Sequence, residues 1–392
     1  MPGTMGRQFR IGFDFDSASS GMRELLAGVR DSPHSGQWEL QGLVHSGLTP
    51  MLMAHRADLD GMFAFVGSPA VLAIYRRYPQ VIVNLSAGMS DPGLPSVWPD
   101  NREIGQLAAR HLAGRGLRHF AFAGEHSLYF SRLRREGFEH ELGSAGRTVA
   151  IMEDLPGRIA TQEQWRQVGA GLVRQFKRLP RPCGILAADD IRARMVLCAV
   201  EDAGLRVPED ISVIGVNDDE SVCAFASPPL SSVHLPWRGI GRAAGQVMHR
   251  LLSGRKAPAR PPIVSGSYVV ERRSTDFVAV ADPQIAVAIR HIWATAVRAP
   301  MTSRRVADQV TMSRRTLDRR MTAAVGRTAS EEIARVRQER TAKLLHETDW
   351  PIKRIALEMG FRSPEELARF FRHRTGISPT HFRKAGPRAT RA

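Results

Sequence analysis

Short apolar runs alternate with amphipathic segments over about the first 280 residues of the chain. The amphipathic segments place apolar residues on one helix face, as at Met22, Leu25 and Val29. Strands and helices that alternate in this order predict parallel sheets covered by helices on both faces. The runs of strand length and composition lie at residues 10–15, 38–44, 61–67, 80–86, 119–124, 183–189, 211–216, 230–236 and 263–273.

The C-terminal region shows a different pattern, in which two similar helix-turn-helix units flank a longer helix. The units occupy residues 301–326 and 351–376. Ser313 and Ser363 are placed to cap the second helix of each unit, and Pro364 stands at a first helical position, where its missing N–H costs nothing. The second helix of each unit is therefore predicted to present its N-terminus outward.

These two patterns divide the chain into domains. About ten strands are too many for one compact open sheet, so the α/β region is predicted to form two lobes, each a doubly wound parallel sheet. We expect this two-lobed unit over residues 1–280 and a linker helix over residues 281–300. Residues 301–392 are predicted to form an all-α domain with two helix-turn-helix motifs.

The positive charge of the chain is concentrated in its C-terminal part. Residues 281–392 contain 23 Lys and Arg against 11 Asp and Glu, and contribute +12 of the whole chain's +16. Such asymmetry predicts a polyanionic partner for this part, most simply double-stranded DNA. A high arginine content that only reflects genome composition is the alternative.

The composition also limits where the protein acts. No run of about 18 apolar residues occurs, and the N-terminus lacks a basic segment followed by a long apolar one. We expect a cytoplasmic protein without a membrane partner. The cysteines Cys183, Cys198 and Cys223 are odd in number and lack C-x-x-C spacing, so neither a disulfide framework nor a zinc site is expected. They are predicted to be buried thiols.

Residues 184–220 and 230–254 carry a family resemblance. Both segments resemble the effector-binding domain of the lactose-repressor and periplasmic sugar-binding type, and the run VPEDISVIG at residues 207–215 is among the most specific stretches of that family. The resemblance covers most of residues 9–273. It implies two lobes of the type I periplasmic-binding-protein kind that close over a small polar ligand.

Polar residues at the carboxyl ends of the predicted strands are candidates for the ligand site. In open parallel sheets, ligands bind at these strand ends. Carboxylates and amides suit a ligand rich in hydroxyl groups, and an aromatic ring can cover the apolar face of a sugar. The candidates at strand ends are Asp14, Phe15, Asp16, Asp189, Asp190, Asn217 and Asp218.

The resemblance adds two further candidates. Arg134 precedes a Gly-Phe pair in the run R-R-E-G-F, where the family places a ligand-binding arginine, and Trp165 matches a pocket aromatic. The alternatives are structural, because an Asp at a strand end often caps a helix and a tryptophan such as Trp165 often belongs to the core.

Motifs of enzymes and nucleotide-binding proteins are absent from the sequence or misplaced. The run G-I-G-R-A-A-G at residues 239–245 resembles a dinucleotide fingerprint, but it does not follow the first strand, so helix packing explains it better. Paired acids such as Asp218 and Asp219 could do acid–base work, yet no nucleophile with its base can be assembled from the sequence. We expect neither an enzyme nor a bound metal or cofactor.

The exposed faces of the two reading helices provide the candidates for DNA contact. Arginine and short polar side chains at a helix N-terminus suit the major groove, because arginine can bond guanine bidentately. An arginine face that only holds phosphates is the alternative. The candidates are Ser313, Arg314, Arg315, Thr316 and Arg319 in the first unit, and Arg362, Ser363, Glu365 and Arg369 in the second.

Two further motifs lie in the second unit. The patterns I-x-x-I-A-x-x-x-G-F at residues 352–361 and G-I-S-P-x-x-F-R at residues 376–383 are very similar to those of the arabinose-regulator (AraC-type) DNA-binding domain. Together with the sugar-binding-type domain, they imply a dimeric transcriptional regulator of a sugar-utilisation operon whose effector is xylose or a similar pentose. A carbohydrate-acting enzyme tethered to DNA and an architectural DNA-binding protein with a vestigial sensor are the alternatives.

Overall fold

A computed structural model provides the fold of most of the chain. No helix among the residues it describes is long and apolar enough to cross a membrane. Asp16 lies outside the described residues, and the side chains of Asp14 and Phe15 also lie outside them. The structure describes residues 8–15, 20–44, 59–77, 80–152, 154–157, 159, 161–296, 301–348 and 350–385.

The first lobe is built on a parallel sheet of four strands in the order β2-β1-β3-β4. Buried residues such as Ile11 and Phe63 form its core together with the helices that cover it. The strands are β1 (Phe9–Phe15), β2 (Trp38–Val44), β3 (Gly61–Ala64) and β4 (Val81–Asn84), and the first two helices are α1 (Ser20–Arg30) and α2 (Pro69–Tyr75).

Short strands mark two crossings between the lobes, and the second lobe follows the first crossing. The crossing strands β5 (Trp98–Pro99) and β11 (Ile263–Val264) pair in parallel. The second lobe contains β6 (His119–Ala123), β7 (Val149–Ile151), β8 (Cys183–Ala187), β9 (Ile211–Asn217), β10 (Ser231–His234) and β12 (Tyr268–Val270). Its helices are α3 (Asn101–Gly114), α4 (Tyr129–Gly143), α5 (Gln162–Phe176), α6 (Asp190–Asp202) and α7 (Glu220–Cys223).

The six strands of the second lobe lie in the order β12-β10-β9-β8-β6-β7, and β12 alone is antiparallel to its neighbour. The single strand predicted over residues 263–273 is therefore wrong. Gly266 has a φ of 109° between β11 and β12, a conformation that favours glycine. The chain turns there, so the first part of the run stays at the crossing and the second part pairs with β10.

The helix α8 (Trp237–Leu252) returns from the second lobe and packs against α1 of the first. Glycines allow the two helices to approach closely. A Cβ atom on Gly241 would lie 2.1 Å from the carbonyl oxygen of Leu25, and one on Gly28 would lie 2.1 Å from that of Arg238. The prediction that the glycines of residues 239–245 serve helix packing is confirmed at Gly241.

Two hydrophobic cores form the C-terminal domain, one for each helix-turn-helix unit. The long helix α12 joins them, because Ile333 packs in the first core and Leu344 in the second. The helix assigned to the linker from sequence contributes Ile289 to the first core. The elements are α9 (Pro283–Thr295), α10 (Ser303–Gln309), α11 (Arg314–Val325), α12 (Ala329–Glu347), α13 (Ile352–Glu358), α14 (Pro364–Thr375) and α15 (Pro379–Ala385).

The cysteines follow the sequence prediction only in part. Cys183 and Cys223 are buried, whereas Cys198 is exposed on α6. Burial raises the pKa of the Cys183 thiol to about 12, which keeps it protonated. None of the three forms a disulfide in the described structure.

Candidate functional site

A cavity of about 140 Å³ lies between the two lobes. Its volume is below the ~300–1,000 Å³ of drug-sized sites, so it fits a small ligand. The first lobe provides Phe65, Leu85, Ser86 and Ala87, the segments near the crossings provide Pro99, Asn101, Leu235 and Trp237, and the second lobe provides Phe130, Arg134, Asp189 and Asn217.

Arg134 of α4 supplies a buried cation to the wall of this cavity. Only 4% of the residue is exposed. Its Nε donates to Oδ1 of Asn101 over 2.9 Å, and its Nη1 donates to the carbonyl oxygen of Ala188 over 2.5 Å. The guanidinium also lies 4.8 Å from the ring centre of Phe130. Burial lowers the pKa of Arg134 to about 10, so the side chain remains cationic at neutral pH.

Close contact between α3 and α4 sets the position of Arg134. A Cβ atom on Gly105 would lie 2.0 Å from the carbonyl oxygen of Arg134, and one on Gly137 would lie 2.1 Å from that of Arg102. Larger residues at either glycine would separate the helices. The Gly-Phe pair of the sequence motif therefore lets α3 and α4 touch, which brings Arg134 to Asn101.

Asp189 lines the cavity and also caps α6. Its Oδ1 accepts the backbone N–H of Arg192 over 2.9 Å, and its Oδ2 pairs with the Arg192 guanidinium. The same guanidinium pairs with Glu125, and its Nε donates to the carbonyl oxygen of Leu155 over 2.8 Å. The buried Arg192 thus holds Asp189, Glu125 and Leu155 together beside the cavity.

Asp190 has a different environment from its neighbour and is not among the described residues that line the cavity. Only 1% of it is exposed. Its carboxylate accepts the hydroxyl of Ser232 over 2.6 Å and the backbone N–H of Asp219 over 2.8 Å. Burial raises the pKa of Asp190 to about 7. These contacts hold β10 and the start of α7 against α6.

The end of β9 bends sharply at two residues with positive φ, Asn217 at 115° and Asp218 at 56°. Asn217 lines the cavity, and its carbonyl oxygen accepts the indole N–H of Trp237 over 3.4 Å. Asp218 does not line it and instead pairs with Arg272 at 2.7 Å and with His234 at 3.2 Å. The bend therefore separates a residue that lines the cavity from one that takes part in an ion cluster.

The ion cluster at His234 connects the two lobes. The Nε2 of His234 lies 3.5 Å from Oε2 of Glu24 on α1, in the first lobe, while Nδ1 faces Asp218 in the second. Burial opposes the charged imidazolium, but the hydrogen bonds to Asp218 and Glu24 outweigh it and raise the pKa of His234 to about 9. At neutral pH this histidine is a cation between two carboxylates.

The last effector candidate, Trp165, is half-buried on α5 and packs against the hydrophobic core of the second lobe. Trp165 is not among the described lining residues of the cavity.

The cavity also has lining residues that the sequence analysis did not predict, among them Asn101, Phe130 and Trp237. A sequence signal was available for Asn101 and Trp237, because each begins a helix that follows a strand. The described residues contain no group of three or more His, Cys, Asp or Glu that could hold a metal ion.

The first reading helix, α11, begins as the sequence predicts. The Oγ of Ser313 accepts the backbone N–H of the half-buried Thr316 over 3.1 Å, and Thr311 turns the chain with a φ of 55°. Three arginines then stand exposed on the helix, of which Arg314 forms a loose pair with Asp318 at 3.6 Å. The exposed arginines of this helix are Arg314, Arg315 and Arg319.

The second reading helix, α14, repeats this arrangement. The Oγ of the half-buried Ser363 accepts the backbone N–H of Glu366 over 3.2 Å, and Glu366 accepts the backbone N–H of Arg362 over 2.7 Å. A hydrogen bond from Ser363 lowers the pKa of the exposed Glu365. Arg362, Glu365 and Arg369 are exposed on its surface. Both units therefore present a capped helix N-terminus, which carries Arg314 and Arg315 in the first unit and Glu365 and Glu366 in the second.

Comparisons with known proteins agree with this architecture. Residues 109–275 match the periplasmic binding protein-like domain, and residues 306–385 match a helix-turn-helix domain. The two together define a ligand-binding sensor joined to a DNA-binding domain.

Relatives that align with most of the chain identify the family. The chain is 30% identical over 299 residues to the xylose operon regulatory protein of Escherichia coli K12, with 75% of each chain covered. It is 28% identical over 336 residues to that of Haemophilus influenzae, with 84% of this chain and 86% of the relative covered. The protein therefore belongs to the xylose operon regulatory protein family and is a DNA-binding transcriptional regulator.

A solved structure supports the fold over the full length. The xylose-binding transcription activator xylR superposes with a TM-score of 0.59 and 24% identity, over 98% of this chain and 100% of that one. The prediction of a two-lobed α/β domain followed by an all-α domain with two helix-turn-helix motifs is confirmed.

Proposed function

We propose that this regulator binds xylose or a similar small sugar between its lobes and that binding changes how its C-terminal domains sit on DNA. The observation that carries the proposal is the inter-lobe cavity, where Arg134, Asp189 and Asn217 supply polar groups beside Phe130 and Trp237. The names of the relatives and of the full-length structural neighbour support xylose.

The chemistry of the lining favours a sugar over an ionic or apolar ligand. Arg134 donates, Asp189 accepts, and the Asn217 amide does both, so hydroxyl groups find partners at fixed angles. The rings of Phe65, Phe130 and Trp237 offer apolar surface to the C–H face of a sugar ring. We assign direct contact to the cavity-lining residues, and we assign Asp190 and Asp218 to holding the strand ends in place.

Further candidates from sequence complete the proposed sites. Asp14, Phe15 and Asp16 stay predicted contacts from the first lobe, and Trp165 is assigned to the core. On the DNA side, the exposed arginines of α11 and α14 are proposed to contact bases or phosphates, with Ser313, Thr316 and Ser363 fixing the helix starts.

The proposed mechanism is a change in population between two conformations. A sugar that prefers the closed lobes shifts the chain toward that state, and only its difference in affinity for the two states can drive the shift. In a homodimer, which we propose for the active form, the shift changes the spacing of reading helices along the DNA. Their natural separation is one turn of the double helix, about 34 Å. The protein acts in the cytoplasm, where it reaches the DNA, and turns over no substrate.

Calorimetric titration with a panel of pentoses and hexoses tests the proposal. We expect one pentose to bind with a single site per chain. Arg134→Met is expected to lose that binding, whereas Arg102→Met, on the exposed side of α3, is expected to keep it. A panel without any binding sugar would contradict the proposal, and turnover of a sugar would favour an enzyme instead.

A further inference from the structure

The helix α3 reaches from the effector cavity to the DNA-binding domain. Its first residue, Asn101, lines the cavity and accepts the hydrogen bond from Arg134. At its other end, the carbonyl oxygen of Gly114 accepts a hydrogen bond of 2.9 Å from Nη2 of Arg327, which lies between α11 and α12. Fourteen residues of helix span about 21 Å, so one rigid element touches both sites.

The residue after α3 makes a second set of contacts with the C-terminal part of the chain. Arg115 is 2% exposed, and its guanidinium stacks over the ring of Trp293 on α9 at 3.8 Å. Its Nη2 also pairs with Glu271 of the second lobe at 2.8 Å, and its carbonyl oxygen accepts the N–H of Ala279 over 2.7 Å. The side chain of Arg115 therefore contacts both the effector domain and the DNA-binding domain.

Both contacts converge on one buried carboxylate, Glu332 of α12, which is fully buried. It accepts the indole N–H of Trp293 over 2.6 Å and pairs with the guanidinium groups of Arg327 and Arg335. Burial opposes its ionisation, but the two arginines outweigh burial and lower the pKa of Glu332 to about 2. The carboxylate stays charged and fixes α12 to the groups that touch α3.

The position of α12 matters because this helix joins the two helix-turn-helix cores. Ile333 lies in the first core and Leu344 in the second. A shift of α12 relative to α3 therefore moves both reading helices together. Glu332 lies in the first turn of α12. The contacts between the domains therefore act at the end of α12 that is nearest the first helix-turn-helix unit.

One part of the domain interface is open, although α12 also contacts β12 of the second lobe. Beside the contacts lies a cavity of about 580 Å³. Residues such as Glu103 and Leu107 of α3 line one side, and Gln338 and Ala342 of α12 line the other. The cavity thus separates α3 from α12 along this stretch, and the two are held together at the end of α3. A small displacement of α12 relative to α3 therefore need not disrupt a packed core.

We propose that α3, through Arg115 and Arg327, is the route by which a ligand between the lobes alters the orientation of both reading helices within one chain. This inference rests on the proposed function, because it needs an effector that binds at Asn101 and Arg134. A ligand that draws these two residues together or apart moves the start of α3, and the rigid helix carries the displacement to Gly114 and Arg115.

The test compares two variants with two matched controls. Arg115→Met and Arg327→Met remove the contacts between the domains and keep the aliphatic stem of each side chain. Arg354 stacks on Trp350 at 3.8 Å, and Arg337 donates to the carbonyl oxygen of Met359 over 2.7 Å, each wholly within the DNA-binding domain. Arg354→Met and Arg337→Met therefore remove a matching stacking contact and a matching hydrogen bond to a carbonyl oxygen without touching the effector domain.

Three quantities are measured for each protein: sugar affinity by calorimetry, and DNA affinity by fluorescence anisotropy with and without saturating sugar. The DNA is a fragment selected by the wild-type protein from a random pool. In the wild type we expect the sugar to change DNA affinity by about 5- to 150-fold. Arg115→Met and Arg327→Met are expected to bind the sugar normally. Their ratio of DNA affinity with sugar to DNA affinity without sugar should be near one, while the two control variants keep the wild-type ratio.

The possible outcomes separate the two proposals. If both variants retain the wild-type ratio, the route through α3 is overturned while the proposed function stands. If the wild type binds no sugar, or if the sugar leaves its DNA affinity unchanged, the proposed function fails and this inference fails with it.

Hydrogen exchange on the wild-type chain gives a test that does not depend on how well the variants fold. Addition of the sugar is expected to change amide exchange at the end of α3 and the start of α12. Unchanged exchange in both segments, with a change confined to the cavity, overturns the route.

Discussion

Arg134 and Asn101 form a hydrogen bond of 2.9 Å that joins α4 to α3 at the wall of the inter-lobe cavity. The bond is buried, and the glycines at the contact of the two helices hold its geometry. Because Arg134 is a buried cation, a polar ligand gains more from it than from an exposed arginine.

Replacement of this arginine is expected to weaken sugar binding strongly. Arg134→Met removes a charge-assisted donor worth about 1.5–3 kcal/mol, which corresponds to about 10- to 150-fold in Kd. It also leaves the Asn101 and Ala188 oxygens without this donor, so the free energy of unfolding should fall by about 1–3 kcal/mol. Calorimetry and thermal unfolding measure the two effects. Unchanged sugar affinity in a folded Arg134→Met protein would exclude Arg134 from the site.

The adjacent acids Asp189 and Asp190 are expected to respond differently to the same substitution. Asp189→Asn weakens an acceptor in the cavity and a partner of Arg192, so sugar affinity should fall by about tenfold or more. Asp190→Asn alters contacts with Ser232 and Asp219 outside the cavity, so it should change thermal stability and leave sugar affinity nearly intact. Titrations of both variants decide the assignment, and equal losses of affinity would refute it.

The cluster at His234 predicts a pH dependence of stability. The ordinary pKa of 6.5 is raised to about 9 in the folded protein, so protonation stabilises the fold. This contribution is complete below pH 6.5 and is lost as the pH rises through about 9. Thermal unfolding of the wild type and of His234→Gln should therefore differ most just below pH 6.5 and converge above pH 9. The raised pKa of Asp190 is common to both proteins and cancels in the difference.

The exposed arginines of the reading helices are expected to divide into two kinds by their salt dependence. An arginine that reads a base costs about 1–3 kcal/mol when replaced by alanine and relaxes specificity at one position. An arginine on a phosphate weakens all sequences alike and lowers the salt slope by about one. Fluorescence anisotropy measures the DNA affinity of Arg315→Ala and Arg362→Ala for selected and shuffled DNA at several salt concentrations, and shows which kind of contact each arginine makes. Arg166→Ala, exposed in the effector domain, should change neither quantity.

Loss of either helix cap is expected to destabilise its own unit. The hydroxyl groups of Ser313 and Ser363 each accept a backbone N–H at the start of a reading helix. Replacement of either serine by alanine should lower the free energy of unfolding by about 1 kcal/mol. Thermal unfolding of the two single variants checks this, and Ser144→Ala, whose hydroxyl caps no helix start, serves as the comparison.

Periodicity and turn residues carry most of the information on the fold. Alternating apolar runs predict the two sheets, and the serine caps predict where α11 and α14 begin, because both depend on local geometry. The split of residues 263–273 into β11 and β12 depends on which strands lie nearby, so local pattern alone does not reveal it. The packing of α9 into the first helix-turn-helix core is also a tertiary property.

The candidate site is less accessible to sequence reasoning than the fold. Strand ends nominate Asp189 and Asp190 equally, yet one faces the cavity and the other is buried among Ser232 and Asp219. Asp189 is the N-cap of α6 with extended backbone and Asp190 is the first helical residue, so the two neighbouring side chains have different environments. Arg192 has no sequence signal, because its importance comes from Glu125, which lies 67 positions away and is brought close by the fold.

The most direct test of the account is the affinity of the wild-type protein for xylose, measured by calorimetry with and without saturating selected DNA. Coupling between sites is reciprocal, so a sugar that changes DNA affinity must have its own affinity changed by DNA by the same factor. We predict one sugar site per chain and a change of about 5- to 150-fold in Kd when DNA is present. Equal Kd values in the two titrations, or no binding of xylose or of any other pentose, would contradict the account.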